Sequence, residues 1–202
     1  MSKITKQLSL EVNGELIIAL LGELAKDQRV DTVLSAMTPE ARELVTSVNA
    51  STLWVPSSTL QAITEATVAC YGFAYLRDAL RRSARHRMSH FARETIQHLV
   101  RLFGPRPETV LRRINQFASQ NTRGTTWEII VLIPGRAVLR NVMTVQGVRV
   151  DSVRAAFEGS ILAIFDFFET SVLTVQSSWD DPAHRALTIE VLWTLAANDT
   201  IH

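Results

Sequence analysis

The sequence predicts an α+β protein of one domain, 1–202: a helical half, 1–119, followed by an antiparallel four-stranded sheet in ββαββ order, 120–202, with helices packed on it. Three observations lead there. Apolar residues recur at helical spacing through the first half; β-branched and apolar runs replace them after Gly124; and those runs form two pairs, each around a turn signal, with a helical stretch between the pairs. A chain of 202 residues is long enough to hide about 70% of its extended surface without covalent staples.

The first helix is read from Leu16, Ile17, Leu20, Leu21 and Leu24, and a short second one from Val30, Val33, Leu34 and Met37. Thr38-Pro39-Glu40 has the grammar of a helix start, with a capping hydroxyl, a proline in the first turn and an acid near the positive end of the helix dipole. Val55-Pro56-Ser57-Ser58 repeats that grammar and opens a helix from about Pro56 to the Tyr71 region, with a bend at Gly72. A long amphipathic helix is expected from Asp78 to Phe103, stopped by Gly104-Pro105, and another from about Glu108 to Ser119. Trp127 to Ile133 and Arg136 to Thr144 flank the turn Pro134-Gly135 as a hairpin. Val150 to Phe168 returns to helical spacing, and the strands Ser171 to Trp179 and Leu187 to Leu195 close the chain around Asp180-Asp181-Pro182.

Charge is segregated although the formal net charge is only +1. Residues 1–76 carry five Lys/Arg against eight Asp/Glu, 77–113 carry ten against three, and 114–202 carry six against nine, so a +7 middle lies between two −3 ends. Every cation in the middle block is arginine, the side chain suited to bidentate contact with carboxylate or phosphate. Arg77, Arg81 and Arg85 follow at four-residue steps with Arg82 beside them, and are expected to meet an acidic surface on a protein partner or on a second copy in a homodimer. The competing reading is that they pair with the chain's own acids. A nucleic-acid surface ranks lower, because the sequence pI is about 8.0 and both flanks are acidic.

The stretch Gly104-Pro105-Arg106, Leu111-Arg112-Arg113, Phe117, Asn121 and Trp127 to Leu132 resembles an uncharacterised single-domain family found mainly in myxobacteria. Gly159, in the helix between the hairpins, and Trp193, at the end of the last strand, extend the resemblance over most of Trp54 to Thr194. That resemblance implies a fold rather than an activity. The order of helices and strands is also similar to the wider group of haem nitric-oxide sensor domains, vinyl-reductase-type domains and Bet3-like trafficking subunits, which implies a pocket or groove for a small or acyl ligand. The haem sensors have a Tyr-x-Ser-x-Arg motif; here Tyr71 and Tyr75 are followed by Phe73 and Arg77 where serine is required, so neither haem nor another cofactor is expected.

Chemistry-bearing patterns are sparse. His86, His90, Glu94 and His98 stand four apart, but each step turns roughly 400°, so the row drifts and reads as a polar helix face rather than a metal site. Cys70 lies in apolar helical surroundings and reads as an inert thiol. No Gly-x-Ser-x-Gly elbow or glycine-rich phosphate loop occurs, so no catalytic residue is assigned. A small apolar ligand is expected against Trp127, Phe157, Ile161 and Phe165. The single cysteine and the absence of a long apolar segment point to a cytoplasmic protein with no membrane span. The resulting expectation is a non-catalytic regulatory domain of bacterial signalling that binds a protein partner, a small ligand or both, with a nucleic-acid regulator and an unrecognised enzyme as rivals.

Overall fold

The computed structural model describes residues 10–87, 98, 102, 106–143, 151–168, 171–180 and 186–194. The helical half begins with a short strand, β1 (Glu11–Asn13), and runs through α1 (Gly14–Lys26), α2 (Val30–Ser35) and α3 (Pro39–Thr46). It continues through β2 (Trp54–Pro56), α4 (Ser57–Arg87), α5 (Pro107–Leu111) and α6 (Ile114–Ala118). Asn13 caps α1 by accepting from the Glu15 N–H, and Thr38 caps α3 by accepting from Ala41, which satisfies amides that the first helical turn leaves open.

Three differences from the sequence reading stand out in this half. β1, β2 and β3 (Thr122–Arg123) form a small sheet in the order β2-β1-β3; strands of two or three residues are too short to display a period of two. The helix expected over 108–119 is two short helices, because the Arg113 backbone (φ −106°, ψ 16°) leaves helical geometry between them. The segment after Gly72 is helical from Phe73 and belongs to α4, rather than starting at Asp78. Most of the expected continuation to Phe103 lies outside the described residues, although His98 and Leu102 are helical.

Gly72 bends α4 sharply, with φ 84° and ψ 169°, a conformation that is essentially restricted to glycine. A straight helix of 31 residues would hold its ends about 45 Å apart. The bend instead lets both ends of α4 wall one cavity, as described below.

The second half is β4 (Thr125–Ile133), β5 (Arg136–Met143), α7 (Asp151–Phe165), β6 (Val172–Trp179) and β7 (Ala186–Trp193). The four strands make one antiparallel sheet, β4-β5-β7-β6. Gly135 at φ 80° closes the first hairpin, where Ile133 pairs with Arg136. Alternation puts Ala137, Leu139, Leu187, Ile189, Val191 and Trp193 inside, while the ion pairs Arg136–Glu190, Arg140–Glu128 and Arg140–Asp180 lie at partly exposed positions of the same sheet.

Two apolar cores result. One joins the inner sheet face to Ile161, Ile164 and Phe165 of α7 and to Val110, Leu111 and Ile114. The other joins α1 to α4 and takes in Ala155 of α7. Helix α7 therefore sits between α4 and the sheet. Gly159 marks the closest approach of α7 to α4, where a Cβ would lie 2.6 Å from the Arg77 carbonyl oxygen.

Candidate functional site

The arginine face is held by the chain's own carboxylates. Arg81 Nε donates to both Asp166 oxygens at 3.2 and 3.0 Å. Arg82 donates to Glu23 at 3.0 Å and to Asp27 at 2.8 Å, and Arg77 stands 3.6 Å from the buried Glu158 carboxylate. Arg85 alone of the four is exposed with no ion pair among the described residues. The row thus ties the second arm of α4 to α1 on one side and to α7 on the other. Arg77, Arg81 and Arg82 are paired within the molecule.

Around Arg82 the polar groups are densely coupled. Burial alone would raise the Glu23 carboxyl, but hydrogen bonds from Lys26 and Arg82 outweigh it and hold the group below its usual range. Tyr75 donates to Asp27 at 2.7 Å; burial and that carboxylate push the phenol up to about 12. Arg29 lies over the rings of Tyr71 and Tyr75, 4.4 and 4.2 Å from their centroids. Both tyrosines therefore serve the packing of α4 on the first helices.

Where the two halves meet lies a cavity of about 430 Å³, within the roughly 300–1,000 Å³ range of small-molecule pockets. Its walls come from both arms of α4 (Leu60 and Thr64; Leu80 and Ala84), from α7 and from the start of the sheet. Trp127 and Phe157 pack edge to face at 5.3 Å and line it together with Ile161. Phe165 does not line it; its ring packs on Trp193 at 5.2 Å in the sheet core. On α7, Phe165 follows Ile161 by one turn, and the sheet covers it where the cavity has ended.

Trp127 is fixed by a device no sequence pattern reveals. The Asn115 side chain donates to the Trp127 carbonyl at 2.7 Å and accepts its N–H at 2.8 Å, taking the place of a neighbouring strand on the open edge of β4. Nor does any sequence pattern mark Asn121 or Arg87 as a site residue. The Arg87 guanidinium lies in the cavity wall and donates from Nη2 to the Asn121 side-chain oxygen, while its Nε is buried with no hydrogen-bond partner. Burial lowers the guanidinium from its ordinary value, and the charge of Glu15 partly offsets this. The buried Ser152 hydroxyl, also in the wall, has no partner either.

Among the described residues, no group of three or more His, Cys, Asp or Glu side chains could hold a metal ion. His86 and His98 are exposed, and His90 and Glu94 lie outside the described residues. No described helix is long and apolar enough to cross a membrane.

A helical layer packed over an antiparallel sheet, with a half-open, mostly apolar cavity between, defines an α+β pocket fold. Solved structures that share it include H-NOX domains. An Fe(II) unliganded H-NOX protein from K. algicida superposes with a TM-score of 0.63 at 11% identity, over 92% of this chain and 98% of that one. A point mutant of the T. Tengcongensis H-NOX gives 0.61 at 13% identity, covering 92% and 99%. An oxygen-binding H-NOX domain related to soluble guanylate cyclases gives 0.58 at 10% identity, covering 94% and 99%. At these identities the likeness is one of fold. No family model and no curated protein matches the chain, so the resemblance to the myxobacterial family gains no support, whereas the fold-level similarity to the haem nitric-oxide sensors stands.

Proposed function

We propose that the chain is a non-catalytic ligand-binding regulatory domain, in which a small, largely apolar molecule occupies the cavity between the two arms of α4, α7 and the sheet. The cavity is the observation that carries this reading: a concave, mostly apolar space with polar groups among its walls is the usual form of a small-molecule site. The H-NOX fold supports it, since one neighbour is an oxygen-binding domain and another was solved to probe heme distortion.

Haem itself fits the described residues poorly. Haem iron takes its protein ligands from His, Cys, Met or Tyr. Among the described wall residues Met143 is the sole member of that set, and Tyr71 and Tyr75 are engaged with Arg29 and Asp27 instead. A protein-partner or nucleic-acid surface on the arginine face would rest chiefly on Arg85, because Arg77, Arg81 and Arg82 already have carboxylate partners.

The test is titration of the full chain with N-phenylnaphthylamine, a neutral fluorophore that brightens in apolar surroundings. Saturable binding is expected in the parent. It is expected to be lost in Ser160→Trp, which places an indole in the cavity wall. Absence of saturable binding in the parent, or equal binding by a folded Ser160→Trp variant, overturns the reading.

A further inference from the structure

A guanidinium taken out of water is costly unless an anion or a full set of acceptors meets it. Arg81 and Arg82 obey that rule with carboxylate partners. Arg87 does not. It sits in the wall of the cavity, its described hydrogen-bond partner is the neutral Asn121 amide, and its Nε is buried without an acceptor. Glu15, the acid whose charge acts on it, is exposed at the rim and forms no ion pair with it. The remaining wall is mostly aliphatic and aromatic, with Trp127, Phe157, Ile161 and Ile164 offering surface for an apolar body. The cavity therefore presents one cationic donor and a broad apolar lining, a combination complementary to an amphipathic monoanion.

We infer that the ligand is an amphipathic carboxylate, whose head group accepts from the Arg87 guanidinium and whose hydrocarbon body lies against Trp127, Phe157 and Ile161. This rests on the cavity reading above and adds the chemical class. A guanidinium nitrogen makes a charge-assisted bond to a carboxylate; with Nη2 given to Asn121 and Nε buried, Nη1 supplies the anchor. An alcohol of the same chain length keeps the apolar contacts and loses the charge, which makes it the discriminating comparison.

The experiment displaces N-phenylnaphthylamine from the full chain with decanoate and, separately, with decanol, below micelle-forming concentrations. Decanoate is expected to displace the probe at a concentration lower by about tenfold or more, the scale of one charge-assisted hydrogen bond. Arg87→Gln should abolish that preference, and Arg87→Lys, which keeps the charge, should retain part of it. Equal displacement by acid and alcohol in the parent overturns the carboxylate assignment and leaves the cavity reading standing. A folded Arg87→Gln variant that still prefers the acid also overturns it. Failure of the parent to bind the probe at all overturns both. Should Arg87→Gln not fold, the acid-to-alcohol ratio in the parent and in Arg87→Lys decides the matter alone.

Discussion

Asn115 pairs with Trp127 as a strand would, its amide both donating to the carbonyl and accepting from the N–H of that one residue. Strand β4 is an edge strand, and edges left open invite pairing with other chains. Here the hydrogen-bonding groups at the aromatic wall of the cavity are closed from within. Asn115→Leu should strand both backbone groups and destabilise the protein by about 1–3 kcal/mol, read as a lower urea midpoint. Asn115→Asp keeps the acceptor and loses the donor, and should fall between.

Gly159 is a packing requirement. A Cβ there would stand 2.6 Å from the Arg77 carbonyl and 3.1 Å from the Arg81 nitrogen, both backbone atoms of α4. Gly159→Leu should overpack the crossing and cost about 1–3 kcal/mol or more. Gly22, with nothing within 4 Å of its Cβ position, is the control: Gly22→Ala should be neutral or stabilise by up to about 1 kcal/mol. Thermal melts that fail to separate the two would refute this account of the crossing.

Gly72 has free space where Gly159 has none, so a substitution there tests backbone conformation alone. Gly72→Ala should cost about 1–3 kcal/mol and weaken binding of the neutral probe, because the second arm of α4 can no longer hold its angle. A variant with parental stability and probe affinity would show that the bend is not demanded by the fold.

Acid should weaken the α1–α4 junction through Glu23. Its folded value lies below the 4.5 of the free group, so its contribution is complete above about 4.5 and is lost as pH falls through the folded value. Glu23→Gln should therefore lower the thermal midpoint at neutral pH, and the difference from the parent should shrink as the solution is acidified. A difference that is constant with pH would contradict the ion-pair assignment.

Alkaline titration addresses the same junction from the other side. Tyr75, at about 12, should show phenolate absorbance only well above the ordinary value of 10, and its contribution to stability is lost as pH rises from 10 through 12. Asp27→Asn removes the charge that opposes ionisation and should bring that transition down, with the part due to burial remaining.

Much of the architecture is legible in the sequence because the periods are long and clean. The two hairpins, the helix between them and the cap at Thr38 each depend on residues close in the chain. What escapes the sequence is set by distant partners. The strands Glu11–Asn13 and Trp54–Pro56 exist because they pair with each other, and the orientation of Gly159 toward α4 follows from how two helices cross. The cavity is partly legible: Trp127, Phe157 and Ile161 advertise themselves as bulky apolar residues on elements facing one core. Arg87 does not, since nothing in a run of arginines tells which one lies in an apolar wall. Its neighbours Arg81 and Arg82 look identical in sequence and have carboxylates waiting for them across the α4 surface.

The bend at Gly72 makes the two arms of α4 behave like the legs of a caliper. Each leg is about 22 Å long, and the cavity is gripped along the legs rather than at the vertex, by Leu60 and Thr64 on one leg and Leu80, Ala84 and Arg87 on the other. A rotation of about 10° at the two Gly72 dihedrals would move a tip by roughly 4 Å, the breadth of a hydrocarbon chain. The width of the space is thus governed from a point outside it, by one residue with no side chain. The jaws are braced by the salt links of Arg81 to α7 and Arg82 to α1, so an occupant that spreads the tips must work against those two contacts first.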